Sequence, residues 1–194
     1  MQALKREELA KFLEACREQS EQTWLMALLA VNHGLRVGEL CGRWAVRKVK
    51  GNKEKYFHRG ILAREVRNGL ITIRRLKGSE ITTQPLVAHE NPLFDERRAV
   101  EKLVLKTRPN DPLFKLNRTT AWRHLQAAGR AAGVKLSAAH IRGMKHTLGT
   151  LAAENTAPKE LQIQMGHKDG KNTLRYYDTT PEQAAEAVKR ALAL

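Results

Sequence analysis

Hydrophobic positions near the start of the chain recur at helical spacing. In KREELAKFLEAC, Leu9, Phe12, Leu13 and Cys16 form one stripe between charged residues, with Leu4 just ahead of them, which predicts an amphipathic helix. TWLMALLAVNHGL is apolar on almost every side, as a largely buried helix should be, and Gly34 stands where it would close. The pattern then changes. From Arg43 to Arg59, RWAVRKVKGNKEKYFHR is dense in Lys and Arg around a Gly-Asn turn and reads as an exposed basic loop or an extended hairpin. Beyond it, β-branched runs at Ile71 to Ile73 and Ile81 to Thr83 are separated by turn signals at Asn68-Gly69 and Lys77-Gly78-Ser79. They predict a small antiparallel sheet of two or three strands.

Helical periodicity resumes in PLFDERRAVEKLVLK, TTAWRHLQAAGRAAG, AAHIRGMKHTLGTLAAEN and PKELQIQMG. The terminal PEQAAEAVKRALAL predicts a last helix over 181–194, with Thr180 as its N-cap and Pro181 in its first turn. Its face of Ala184, Val188, Ala191 and Leu192 needs a groove, in its own domain or on a neighbouring protomer. The fold class expected is mainly α with a small antiparallel β-sheet, an α+β arrangement, and 194 residues suffice for one domain with one substantial core.

Charge adds a partner to this picture. The chain has 35 Lys and Arg against 20 Asp and Glu, a net charge of +15, which favours a polyanion through release of counterions from phosphates. Double-stranded DNA is the expected partner, and Arg43, Lys48, Lys50, Lys53, Arg74 and Arg75 are the candidate contacts in the basic segment and the strand after it. No apolar run reaches the ~18 residues of a membrane span, and the charged N-terminus lacks the apolar core of a secretory signal, so a cytoplasmic protein without a membrane partner is expected. Cys16 and Cys41 have no CxxC spacing and read as buried thiols.

Motifs for several chemistries are missing. GxSxG, GxGxxG and a phosphate-binding GKS or GKT are all absent, which argues against an α/β-hydrolase or a nucleotide-binding enzyme. His140, His146 and His167 have neither HExxH spacing nor a cysteine partner, so no metal and no cofactor is expected.

At Gly34-Leu35-Arg36-Val37-Gly38-Glu39-Leu40 the chain resembles the segment of tyrosine recombinases, the phage integrase family, that carries a catalytic arginine. Further family motifs follow in order: Lys77 in ITIRRLKGSEITTQPL resembles the β-hairpin lysine, RGMKHTLGT resembles a box of the form HxxRHTxAT, and Met165-Gly166-His167 resembles Leu-Gly-His. Tyr176 falls nine residues past that histidine, the family's spacing for its nucleophile. The resemblance covers nearly the whole chain. It implies a catalytic domain, without the N-terminal core-binding domain that clamps DNA in such proteins, which acts as a homo-oligomer on DNA.

What the resemblance implies for the residues can be put in chemical terms. Tyr176 would attack a phosphodiester, Arg36 would present its planar fork to the non-bridging oxygens, His167 would add a hydrogen bond, and Lys77 would protonate the departing 5′ oxygen. Glu39 would orient Arg36. The product would be a 3′-phosphotyrosyl bond that a 5′-hydroxyl can reverse without ATP. One box departs from the pattern: Arg142 stands where histidine or lysine is usual, and Lys145 where the second arginine is usual. Lysine lacks the bidentate fork, and arginine cannot accept a proton. Two readings follow, a site-specific recombinase with a rearranged cation set, or a DNA-binding relative with weak or no catalysis.

Overall fold

A long apolar helix organises the structure, a computed structural model that describes residues 3–49, 52–76, 79–177 and 189. In α2 (Glu21–His33), Leu25, Met26, Leu28 and Leu29 are all but inaccessible, as the all-round apolar pattern requires. The Ser20 side chain caps its start by accepting from the Thr23 amide, and Gly34, with φ of 59°, closes its end in the left-handed region. α1 (Arg6–Gln19) packs on it through Phe12, Leu13 and Cys16. Cys41 is only partly buried, which corrects the expectation of two buried thiols.

After the short α3 (Val37–Cys41), β1 (Arg43–Val49) and β2 (Asn52–His58) pair antiparallel, so the basic segment is an extended hairpin. A single 3₁₀ turn (Ala63–Glu65) leads to the small sheet, β3 (Val66–Arg67), β4 (Leu70–Ile73) and β5 (Thr82–Pro85), antiparallel in the order β3-β4-β5. Asn68 and Gly69 both have positive φ, 52° and 71°, which is the hairpin turn that Asn-Gly predicts. Ile71 and Ile73 point into the core.

Further helices among the described residues are α4 (Glu96–Leu105), α5 (Arg118–Ala131), α6 (Ile141–Ala153), α7 (Pro158–Met165) and α8 (Lys171–Leu174). α6 lies along α2, α5 packs on α1 and α2, and α7 follows α6. Gly166, with φ of 61°, closes α7 as Gly34 closes α2. None of the described helices is long and apolar enough to cross a membrane. Lys50, Lys77 and the expected helix over 181–194, Lys189 excepted, lie outside the described residues.

Candidate active site

Two helix ends converge on one cluster of cations. Gly34 ends α2 and brings Arg36 to the start of α3, where its amide donates to Glu39 Oε2 at 2.8 Å and its Nη1 to Glu39 Oε1 at 2.7 Å. Glu39 is fully buried and also accepts from the Leu76 amide at 2.8 Å, so it links α3 to the bend that follows β4, immediately before Lys77 in the chain. Burial pushes the Glu39 carboxyl up, but the Leu76 amide and Arg36 together outweigh it and hold the group below the usual carboxylate range. Arg36, fixed by this pair, keeps part of its side chain exposed.

Lys145 reaches across from α6. Its Nζ donates to the Gly34 carbonyl at 2.7 Å and to the Met165 carbonyl at 2.9 Å, the C-terminal ends of α2 and α7. Burial, followed by Arg36 and Arg75, pushes its ammonium down to about 7, with Glu39 opposing.

Arg75 is not a DNA contact of the kind the sequence suggests. Its side chain is wholly buried and donates to the carbonyls of His33 at 3.0 Å and Gln164 at 3.1 Å and to Thr82 Oγ1 at 3.1 Å, with Glu39 3.7 Å away. Its guanidinium has traded water for these acceptors, and burial pushes it down to about 10. Arg74, next in the chain, is exposed and pairs with Glu65. Arg43 and Lys53 are exposed on the β1-β2 hairpin, and Lys48 is opposite Lys53 in its register.

His167 follows the Gly166 turn, with Nδ1 2.8 Å from the buried Thr173 hydroxyl on α8. Burial first, then Lys145, Arg36, Arg75 and Arg175, pushes it down to about 4, so the ring is neutral at physiological pH. His140 serves its own helix, where its Nδ1 accepts from the Gly143 amide at 3.0 Å and caps the start of α6.

The adjacent tyrosines differ. Tyr177 donates its hydroxyl to the Thr156 carbonyl at 2.8 Å and is tied to the end of α6. Tyr176 is half-buried, its ring against Gly149 and 5.4 Å from the ring of His146, and among the described residues no hydrogen bond holds its hydroxyl. Burial raises its phenol, with Arg175 and Arg142 pulling the other way. Arg142 is exposed on the same helix as His146 and Gly149.

Beside this cluster opens a basic cleft of about 1130 Å³, lined by Arg43, Arg118, Arg123 and Arg142 together with Phe57 and Trp122. Both aromatic rings are about half exposed, at 52% and 53%. Arg118, Trp122 and Arg123 did not stand out in the sequence. Their signal is the outward face of α5, opposite the buried Ala121, Leu125 and Ala128. The geometry thus joins Arg36, Glu39, Lys145 and His167 in one cluster, with Tyr176 and Arg142 together on the α6 side.

Comparison with known proteins gives consistent matches. The model of the phage integrase family matches residues 61–183. Tyrosine recombinase XerA of Pyrococcus furiosus is 29% identical over 97% of this chain, which spans 61% of that protein's length. Type 1 fimbriae regulatory protein FimE of Escherichia coli is 31% identical over 79% of this chain and 72% of its own. Among solved structures, the XerH site-specific recombinase bound to difH substrate matches 96% of this chain and 53% of its own, with a TM-score of 0.69 at 19% identity. A lambda integrase dimer bound to a COC′ core site matches 88% of this chain and 59% of its own at a TM-score of 0.62 and 18% identity.

Proposed function

Because the chain belongs to the phage integrase family, we propose that it is a recombinase catalytic domain that cuts and rejoins double-stranded DNA through Tyr176. The observation that carries the choice of nucleophile is the contrast between the tied hydroxyl of Tyr177 and that of Tyr176, which is bonded to none of the described residues. As the Tyr176 oxygen bonds to phosphorus, its proton passes to solvent, the bond from phosphorus to the 5′ oxygen breaks, and Lys77 protonates that oxygen. A 5′-hydroxyl reverses these steps and reseals the strand.

Charge gathers on the non-bridging oxygens as the tyrosine attacks, and fixed donors there lower the barrier. Arg36, with Nη1 on Glu39, offers its remaining N–H groups. Lys145 has three donors and two are on carbonyls, which leaves one for an oxygen. Neutral His167 donates from Nε2 when the Thr173 hydroxyl donates to its Nδ1. Arg142 supplies charge from the α6 side. The basic cleft with Trp122 and Phe57 takes the flanking duplex, Arg43, Lys48, Lys50, Lys53 and Arg74 reach phosphates beyond it, and the C-terminal helix docks on a neighbouring protomer in a homo-oligomer on cytoplasmic DNA.

A second reading is a DNA-binding relative without strand transfer. It is favoured by Lys145, which replaces a forked cation and is bonded to backbone. Covalent trapping separates the two. With a pool of nicked duplexes of randomised sequence, wild type and Tyr177→Phe should yield adducts that survive SDS, and Tyr176→Phe none. Tight binding with no adduct from any of them would favour the second reading.

A further inference from the structure

Gly149 sits in the middle of α6, where glycine is less favourable than alanine. Its backbone is not in the left-handed region that would call for glycine, so conformational freedom does not explain it. Space does. A β-carbon at this position would lie 2.7 Å from Cδ1 of Tyr176 and nearer still to Cε1 and Cζ, well inside the ~3.5 to 4.0 Å of carbon contact. Arg142, His146 and Gly149 follow one another at helical spacing along one face, so the tyrosine ring lies in a notch between the His146 ring and the helix backbone.

We infer that Gly149 is a positioning residue whose missing side chain sets where the Tyr176 hydroxyl stands. The inference rests on Tyr176 being the nucleophile. The three heavy atoms nearest a β-carbon at 149 all belong to the Tyr176 ring, which can swing away, so the effect falls on the reacting oxygen. The displacement required is about 1 Å, and a misplacement of that size can cost about 10²-fold in rate. Binding of DNA, which the cleft and the basic hairpin govern, is untouched.

The test uses the full chain and its Gly149→Ala variant. Thermal unfolding and DNA affinity should match wild type, while single-turnover adduct formation at saturating nicked duplex slows about 10²-fold with its half-saturating DNA concentration unchanged. In protein labelled with 3-fluorotyrosine, the fluorine resonance lost in Tyr176→Phe should shift in Gly149→Ala, and the one lost in Tyr177→Phe should not. An adduct rate within twofold of wild type, or an unmoved Tyr176 resonance, overturns the inference. Loss of the fold in Gly149→Ala also overturns it, because the ring could not then yield. Adduct formation by Tyr176→Phe would instead remove the nucleophile reading, and with it this role for Gly149.

Discussion

Lys145 Nζ stands 2.7 Å from the carbonyl oxygen of Gly34, the residue that closes α2. The same ammonium takes the Met165 carbonyl at the end of α7, so one cation joins two helix C-termini, where the helix dipoles favour positive charge. Buried Arg75 bonds the neighbouring carbonyls of His33 and Gln164. Arg36 lies two residues beyond Gly34 and His167 two beyond Met165. The junction that these two cations hold together therefore sets the spacing between the groups proposed to grip the phosphate.

Stability should carry the mark of this burial. In the unfolded chain Lys145 titrates near the usual ~10.4, and in the folded protein near about 7. Between those values the unfolded chain holds a proton that the folded one has released, so this group makes stability rise with pH across that window; below about 7 the full cost of the buried ammonium remains. Urea unfolding of wild type and Lys145→Met from pH 6 to 9 should show the difference, wild type minus variant, increasing with pH. A constant difference would refute the lowered value.

Activity should change with pH in the opposite sense. The charged form of Lys145 is present below about 7 and lost as pH rises through it, whereas arginine stays charged throughout. Lys145→Arg should therefore match wild type in adduct formation near pH 6 and exceed it about tenfold near pH 8, where a group one unit above its pKa keeps about a tenth of its charge. Bound phosphate raises the lysine and moves the crossover upward without removing it. Equal rates for the two proteins at both pH values would refute a loss of this charge near pH 8.

His167 should act without titrating in the neutral range, since burial and four surrounding cations push it down to about 4. Its orientation depends on the Thr173 hydroxyl. Thr173→Val keeps the shape and removes the bond; it should slow adduct formation about tenfold, the loss of ~1.4 kcal/mol, without a new inflection between pH 5 and 8. An inflection near 6.5 in wild type that disappears in His167→Gln would contradict the lowered value.

How much of this was legible in the sequence depended on whether the cause was local. The run through TWLMALLAVNHGL and its closing glycine identify α2 because an apolar surface on every side has one solution, burial. Asn68-Gly69 identifies a hairpin because both residues accept positive φ. Arg36, His167 and Tyr176 stand out through motif spacing. Arg75 reads as an exposed contact because IRRLKGS looks like a basic strand end, and nothing local announces the carbonyls of α2 and α7 that surround it. α3 and α8, of five and four residues, are too short to show a period. The notch at Gly149 is visible only once the ring of Tyr176 lies over it.

Arg74 and Arg75 are adjacent and differ in burial, Arg74 exposed and Arg75 wholly buried. Arg74→Ala takes an exposed guanidinium from the buried Glu65 carboxylate, which keeps the Leu62 amide as a donor, and should cost about 1 to 3 kcal/mol of stability. Arg75→Met strands the buried His33 carbonyl, while the Gln164 carbonyl keeps the Gln84 amide, and at about 1 to 3 kcal/mol for a buried group left unmet it should lower stability by that amount in urea unfolding. A mild effect of Arg75→Met, together with weaker DNA binding in a folded protein, would return Arg75 to the DNA surface.

The cleft offers the clearest separation of charge from contact. Arg123 lines it beside half-exposed Trp122 on the outward face of α5. If Arg123 neutralises one phosphate, Arg123→Ala should reduce the slope of log affinity against log salt by about 1, because one fewer counterion is released on binding. Trp122→Ala should leave that slope alone, since the indole carries no charge, and weaken binding by a similar factor at every salt concentration through lost apolar contact with the duplex. Neither change touches Arg36, Lys145 or His167, so adduct formation at saturating DNA should keep its wild-type rate. Titrations by fluorescence anisotropy across four salt concentrations measure both slopes. Parallel lines for wild type and Arg123→Ala would place the duplex elsewhere, with the exposed hairpin residues Arg43 and Lys53 as the next cations to test.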